Sequence, residues 1–516
     1  MRALNIAMGA LLLFLLSVAI SVFWLLPLKV KLRLKRNGLR GPPPLFPLGN
    51  LLEISKRLKE TSASSLNSVT HDIHSIVFPY FALWRKTYGK VFIYWLGTEP
   101  FLYVADPEFL KQVTSGCLGN KWGKPNVFKR DRKPMFGNGL LMVEGEGWSH
   151  HRNVIAPAFS MTNLNAMINM MMETTSKMLQ QWDHSISMGK NEIDIERDIT
   201  INAAKIIANV TFGISNEEGR NVFQKLQALQ AILFKSNPLI GVPFCKFLNP
   251  KRTKEAKKLG GEIDHLLLKI IESRTREEDD ANVNTHNDLL GLLLASNQES
   301  AKVERKLTSR ELVDECKTFF FGGHETTSLA LTWSLFLLAQ YPQWQKALRE
   351  EIMEVSKGEP LDSTMLPKLT KMEWIFNEVI RLYSPAPNSQ RQAREDITVG
   401  NIHIPKGTNM WVDVVGMHHD RSLWGDDVNE FRPERFEGNL HGGCKHRMGF
   451  LPFGFGGRIC IGRNLTITEY KIVLSHILCK FSMAVSPAYT HSPRIMLSLR
   501  PSHGVQLILG RIEESN

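Results

Sequence analysis

The sequence predicts a mainly α-helical domain with small β-sheets, carried behind one N-terminal transmembrane helix. Three observations predict it. A nearly unbroken apolar run opens the chain, from Ile6 to Leu28. A capping-box motif, Thr308-Ser309-Arg310-Glu311, starts a mostly apolar stretch that lasts to Gln340, where Tyr341-Pro342 stops it. Strand-like stretches are few, and the clearest ones flank short turns.

The apolar run is interrupted only by Ser17 and Ser21. At ~1.5 Å per residue such a helix reaches roughly 35 Å, enough to cross a bilayer core of ~30 Å. It ends in Leu25-Leu26-Pro27-Leu28, without the small-x-small cleavage site of a removed signal. Lys29, Lys31, Arg33, Lys35, Arg36 and Arg40 follow with no acid between them. Positive charge stays on the cytosolic side. The expectation is an uncleaved anchor over residues 1–28 and a cytosolic body over 48–516. Between them, residues 29–47 form a basic, proline-rich linker, stiffened by Gly41-Pro42-Pro43-Pro44.

The remaining composition is globular: 43% apolar and 22% charged over 516 residues. That excludes a disordered chain and a polytopic membrane protein. The net charge of +12 is concentrated in the basic run, so no nucleic-acid-binding face is expected. Cys117, Cys245, Cys316, Cys444, Cys460 and Cys479 are scattered, with no CxxC. A reducing compartment fits better than a disulfide framework.

Further along, Phe92–Leu96 and Phe101–Val104 flank Gly97-Thr98-Glu99-Pro100 as a hairpin. Ile397–Val399 and Ile402–Ile404 flank Gly400-Asn401, and Val505–Leu509 adds a strand. The polar stretch from Ser273 to Asp288 reads as a surface loop. Thr370-Lys371-Met372-Glu373 reads as a second capping box, opening a helix that ends near Ser384-Pro385. Asn464 to Leu478 reads as a helix.

The chemistry centres on "FGFGGRICIG", Phe453 to Gly462. A dinucleotide loop fails, because Ile459 stands where the third glycine belongs, and no Gly-Lys-Ser/Thr follows for a P-loop. Structural zinc needs about four ligands, and His441, Cys444 and His446 have no zinc spacing. A thiolate at Cys460 suits another metal: glycines let backbone N–H groups approach the sulfur, and the following helix favours negative charge at its start. On chemistry alone, a buried structural cysteine remains an equal reading.

Phe453-x-x-Gly456-x-Arg458-x-Cys460-x-Gly462 resembles the haem-binding signature of the cytochromes P-450, the haem-thiolate monooxygenases. Other motifs of that family follow the expected order. Gly322-Gly323-His324-Glu325-Thr326-Thr327 resembles the oxygen-activation motif, placed mid-way along the long helix. Glycines and threonines there loosen the helix. The resemblance gives Thr326 a hydroxyl role and Glu325 an acid role in proton delivery. Glu378-Val379-Ile380-Arg381 and Pro433-Glu434-Arg435-Phe436 are similar to the family's buried network of Glu378, Arg381 and Arg435. Trp148-Ser149-His150-His151-Arg152 resembles WxxxR. It makes Trp148 and Arg152, together with Arg391 and Arg458, the partners of the haem propionates. "LLMVEGEGWSHHRNVIAPAFS", "FFFGGHETTS" and "SHGVQLIL" are similar to the plant clan numbered 72.

The resemblance implies the cytochrome P-450 fold and haem b with Cys460 as axial iron ligand. It implies insertion of one oxygen atom of O2 into a C–H bond of a small, largely apolar molecule such as a hormone, terpenoid or fatty acid. Electrons would come from NADPH through the membrane-bound NADPH–cytochrome P-450 reductase, and the chain would sit in the endoplasmic reticulum membrane. Lys445, Arg447, Arg463 and Lys471 are the expected basic docking face. Pocket residues implied by analogy come from Trp122–Leu141, the long helix at Phe319–Phe321, Asn388–Gln390 and Arg494–Leu497, with Phe319, Phe320, Gly322, Gly323 and Ser389 singled out. Sequons at Asn209 and Asn464 would go unused in the cytosol. Two other classes remain open. One is a haem-thiolate isomerase or dehydratase acting on peroxides, which tends to lack the acid–alcohol pair. The other is a non-catalytic membrane haem protein.

Overall fold

The structure, a computed structural model, describes residues 2–64, 69–212, 217–234, 239–245, 249–281, 288–299 and 306–512. Its first helix runs through Arg2–Ile20, a π-type turn at Ser21–Leu25, and Leu26–Arg36. The apolar window of this helix is wholly uncovered by protein, as a membrane anchor requires. The basic run expected to open a linker is helical as far as Arg36. It is also docked: Leu34 is buried, Arg33 pairs with Asp396 at 3.1 Å, and Ile93 N–H donates to Arg40 O at 2.8 Å. Gly41 lies so close to Ile93 that a Cβ would collide with its carbonyl.

The long helix Ser309–Gln340 is the axis of the fold. Its capping box forms as expected. Thr308 Oγ1 accepts the Glu311 N–H at 3.2 Å, and Glu311 Oε2 accepts the Thr308 N–H at 2.9 Å. Most of its residues are buried on every side, which places it in the interior rather than on the surface. Helix Ile195–Phe212 packs along it. The contact is close at Gly323, where a Cβ would meet Ile207 Cδ1 at 2.4 Å.

The strands are β1 (Val91–Leu96), β2 (Glu99–Val104), β3 (Trp122–Gly123), β4 (Glu192–Asp194), β5 (Asn388–Ala393) and β6 (Ile397–Val399). They continue with β7 (Ile402–Ile404), β8 (Asn409–Asp413), β9 (Phe481–Val485), β10 (Pro493–Met496), β11 (Ser498–Pro501) and β12 (Gln506–Arg511). Among the described residues the largest sheet has the order β1-β2-β8-β5-β3, with β2 and β8 parallel. The others are β4-β12-β9, β10-β11 and β6-β7. Both expected hairpins form. The first turns more tightly than its sequence suggests, pairing Leu96 with Glu99 across Gly97-Thr98, where Gly97 takes a φ of 61°.

Two expectations are corrected. Helix Pro250–Ala281 runs into the stretch read as a loop from Ser273, because its Arg, Glu and Lys are good helix formers whatever their polarity. Residues 282–287 lie outside the described residues. Helix Thr370–Leu382 forms, but without a capping box of its own. Glu351, from the preceding helix Pro342–Ser356, reaches across instead and accepts the N–H groups of Lys371 at 2.6 Å and Met372 at 3.0 Å. A carboxylate at that position also suits the positive end of the helix. Glu373 pairs with Lys471 at 3.3 Å.

Candidate active site

The loop before Cys460 turns on glycines. Gly454 and Gly456 have φ of 80° and 64°, a region costly for other residues. Cys460 N–H donates to Phe453 O at 2.9 Å, closing the loop. Gly462 caps helix Arg463–Lys480, which leaves Cys460 just ahead of the helix start. The cysteine is accessible to solvent, yet protein crowds the sulfur. Burial pushes its thiol pKa up, while the Gly462 N–H and Arg152 push it back. The thiol therefore does not ionise on its own, and a coordinated metal would draw off its proton.

Trp148 lies between two guanidinium groups. Arg458 Cζ lies 4.9 Å from its ring centroid and Arg152 Cζ 5.8 Å. Arg152 Nη1 also donates to Ile459 O at 2.9 Å, tying helix Gly145–Ile155 to the cysteine loop. Arg391 stands over Phe455 at 5.4 Å. Trp148, Arg391 and Arg458 border a cavity of about 650 Å³ with Gly456 and Gly457.

Charge around this recess is unbalanced. Burial and Arg458 lower the Arg391 pKa to about 10. Lys124 is pushed far down by burial and by Arg391, Arg458 and Arg132. Glu146 lines the cavity from an exposed position, and Glu144 is already committed to Arg394, Lys129 and the Lys124 N–H. Arg458 Nη1 is buried with no hydrogen-bond partner. A recess with surplus cations and an unsatisfied guanidinium fits a dianionic group such as the two propionates of haem, beside a cysteine able to ligate iron. Of the propionate partners the sequence implied, Trp148, Arg391 and Arg458 line this cavity, whereas Arg152 is not among its lining residues; Lys124 falls inside the expected pocket segment Trp122–Leu141 but has no motif of its own.

The long helix passes the other side of the cysteine helix. Thr327 Oγ1 and Thr466 Oγ1 meet at 3.4 Å, in the first turn after Cys460. Thr326 Oγ1 donates back to Gly322 O at 2.8 Å, a bond that competes with the helix ladder. Gly322 faces open space. Glu325 is buried and turned elsewhere, its carboxylate gripped by Arg500 and Gln230. Burial would raise its pKa, but Arg500, helped by His324 and Ser498, holds it down to about 2. Among the described residues no hydrogen bond joins Glu325 to Thr326. Arg500, Ser498 and Gln230 were not anticipated. A lone arginine inside the apolar strand "MLSLRP" was the available signal.

Phe319, Phe320 and Phe321 are all buried, and each meets a different aromatic: Phe159 at 5.5 Å, Phe223 at 5.5 Å and Phe136 at 5.1 Å. Ser389, in β5, is half-buried and its Oγ accepts from Arg391 Nη1 at 3.1 Å. Glu378, Arg381 and Arg435 come together in the interior. Arg381 Nε and Nη2 meet Glu378 at 2.6 and 2.8 Å, and Arg435 Nε meets it at 3.3 Å. Lys445, Arg447 and Arg463 are exposed. Lys471 is not: it is buried, with Nζ donating to Leu366 O at 2.9 Å. It leaves the expected docking face because its ammonium seals a gap between helices.

A mostly helical body, a cysteine loop and a cationic recess define a haem-thiolate protein. The cytochrome P450 family profile matches residues 41–509, and the chain belongs to that family. A cytokinin hydroxylase of Arabidopsis thaliana is 38% identical over 95% of this chain and 94% of its own length. Cytochrome P450 714C2 of Oryza sativa subsp. japonica is 35% identical over 95% of each chain. Cytochrome P450 734A1 of Arabidopsis thaliana is 34% identical over 95% of this chain and 94% of its own length. The protein is a haem-dependent monooxygenase that hydroxylates a small molecule with electrons from a redox partner, and its N-terminal helix fits membrane anchoring.

Proposed function

We propose that this chain is a microsomal hydroxylase of a small hormone-type or isoprenoid molecule, with cytokinins the first to test. Its catalytic domain, residues 48–516, would face the cytosol from the endoplasmic reticulum. NADPH–cytochrome P-450 reductase would be its electron donor, docking on a face that includes Lys445, Arg447 and Arg463. The observation that carries the reading is the buried, unpartnered Nη1 of Arg458, which lines one cavity with Arg391 close to an accessible Cys460.

Cys460 would ligate the iron, and Trp148, Arg152, Arg391 and Arg458 would hold the propionates. Haem bound there supplies activation of O2 and insertion of one oxygen atom into a C–H bond. Thr326 offers a hydroxyl that donates to Gly322 O and can rotate to donate toward the open space beside Gly322 instead. Glu325 carries a carboxylate from which protons could be passed on. Phe319 and Phe320 would form apolar walls, with Ser389 at a polar edge and Gly322 leaving room; Gly323, expected beside it at the pocket, packs against Ile207 instead. The kinship to cytokinin hydroxylases supports the hormone-type substrate.

The test is the reduced, CO-bound absorption spectrum of wild type and Cys460→Ala. The thiolate-type band should vanish in the variant; its persistence would overturn the ligand assignment. A panel of cytokinins, terpenoids and fatty acids, supplied with NADPH and reductase, should then give hydroxylation of the hormone class. Product from fatty acids alone would refute that choice. Charge reversal at Lys445, Arg447 and Arg463 together should slow reductase-supported turnover, and unchanged turnover would remove the docking face.

A further inference from the structure

Glu325 stands one residue before Thr326, yet its carboxylate is fully engaged. Arg500, in β11, straddles it: Nε donates to Oε1 at 2.7 Å and Nη2 to Oε2 at 2.6 Å. Ser498 Oγ donates to Oε1 as well. Gln230 Nε2, from helix Glu217–Phe234, donates to Oε2 at 2.9 Å. Four donors fill the lone-pair sites of an ionised carboxylate. Glu325 is only 1% exposed, so these bonds are not shared with bulk water. So arranged, it has no lone pair free to take a proton.

Arg500 has a second anion. Its Nη1 lies 3.3 Å from Glu196 Oε1, at the start of helix Ile195–Phe212. Glu196 lies nearer the surface, with Asp194 close by. One cation thus serves an inner and an outer carboxylate. The distribution is lopsided: two short, parallel bonds inward and one long bond outward. The other titratable neighbour is His324, whose Nε2 is 3.9 Å from Glu325; burial lowers its pKa and Glu325 pulls it back up. Burial, with repulsion from Asp194 and Glu325, raises the Glu196 pKa although Arg500 opposes it.

We propose that Arg500 is a positioning residue for proton delivery, clamping Glu325 away from Thr326, with Glu196 as the counter-anion that draws the guanidinium outward and frees Glu325. The inference rests on the reading of Glu325 as the proton-carrying acid. When Arg500 leans toward Glu196, each oxygen of Glu325 loses one of its two donors, Ser498 and Gln230 keeping the others, and the freed site can take a proton supplied by bulk solvent through water. When Arg500 returns, that proton is displaced to water on the Thr326 side and the carboxylate is again an anion. Bidentate geometry makes the clamp depend on the guanidinium fork, while lysine retains only the charge.

The test uses the reductase-supported holoenzyme and the variants Arg500→Gln, Arg500→Lys, Glu196→Gln and Glu325→Gln. Three readouts are taken: product formed per NADPH, the solvent deuterium isotope effect on turnover, and the infrared band of protonated carboxyl groups. Arg500→Gln should lower product per NADPH on the order of tenfold and enlarge the isotope effect. It should also add a protonated-carboxyl band at neutral pH, absent when Glu325→Gln is combined with it. Arg500→Lys should remove that band and restore part of the coupling. Glu196→Gln, lacking the outward pull, should enlarge the isotope effect without adding the band. If Glu325→Gln impairs coupling while Arg500→Gln changes neither coupling nor isotope effect, the positioning role is refuted. If Glu325→Gln itself changes nothing, the reading of Glu325 falls instead. Should Arg500→Gln fail to retain haem, the lysine and Glu196 variants decide: wild-type isotope effects in both overturn the proposal.

Discussion

Replacing Glu378 with glutamine keeps the side chain's size and removes its charge. The carboxylate accepts two bonds from Arg381, one from Arg435 and one from the Arg432 N–H at 2.9 Å. Arg381 is 0% exposed, and its remaining donors go to the carbonyls of His418, Val428 and Glu430. No water can replace the lost anion. Removing one partner of such a buried pair costs about 3–5 kcal/mol. The amide also turns an acceptor into a donor aimed at a guanidinium. The damage reaches the cysteine loop, because His418 Nε2 accepts the Leu451 N–H at 3.0 Å. Haem retention should therefore fall with stability. Arg33–Asp396 supplies the control, its side chains 56% and 46% exposed, so Asp396→Asn should leave the unfolding midpoint in place. Urea unfolding of equally haem-loaded proteins, followed by tryptophan fluorescence and Soret absorption, reads both. Equal midpoints for wild type and Glu378→Gln would refute the reasoning.

Gly323→Ala should destabilise by about 1–3 kcal/mol, since its Cβ would meet Ile207. Gly322→Ala faces open space and should gain up to ~1 kcal/mol in helix propensity; thermal unfolding compares the two. His151 meets Glu315 at 2.6 Å and Glu311 at 3.5 Å. Burial lowers its pKa, but the two carboxylates outweigh burial and raise it above 6.5. A raised histidine contributes stability that is full below its unfolded value and lost as pH rises through its folded value. Wild type should therefore lose stability as pH rises above 6.5 more steeply than His151→Gln, and parallel pH profiles would remove the ion pair from the account. Arg458→Leu should weaken haem retention, measured by transfer of haem to apomyoglobin. Lys124→Met should do the same if its ammonium faces a propionate, and unchanged transfer rates would place it elsewhere.

The long helix was legible because its signals are local: a capping box at Thr308, an apolar run and Tyr341-Pro342. The same holds for the two hairpins and the helix after Cys460. The second capping box failed because Thr370 and Glu373 cannot reveal a carboxylate arriving from Glu351, nineteen positions before Thr370. Strand β5, "NSQRQA", has none of the β-branched or aromatic residues that mark strands. It is a strand because β8 lies beside it. At the site, Cys460, Trp148, Arg152 and Arg458 sit within one motif each. Arg500 and Lys124 belong to no motif, and only tertiary packing brings them in. Lys471 shows the converse: exposure cannot be read from charge, since its ammonium is satisfied by one carbonyl and Glu373.

The surplus of cations joins the cofactor to the fold. Burial lowers the pKa of Arg391, Arg458 and Lys124; Arg458 lowers Arg391 further, both lower Lys124, and Arg394 lowers Arg458. Holding them together with too little counter-charge costs free energy that the rest of the core must offset. Glu144 relieves it only in part: it raises Arg458 and Lys124, but Arg394 takes both of its oxygens. Two propionates would remove the repulsion and satisfy Arg458 Nη1 in one step. Relief of that repulsion tightens the binding of haem to the native state alone, and the native state is stabilised by mass action accordingly. The residues that hold haem are thus the same ones that make the chain depend on it for stability. Substitutions that neutralise one of them should ease the haem-free protein and loosen the loaded one. That opposite response separates a cofactor cradle from an ordinary basic surface, where removing a charge alters neither form.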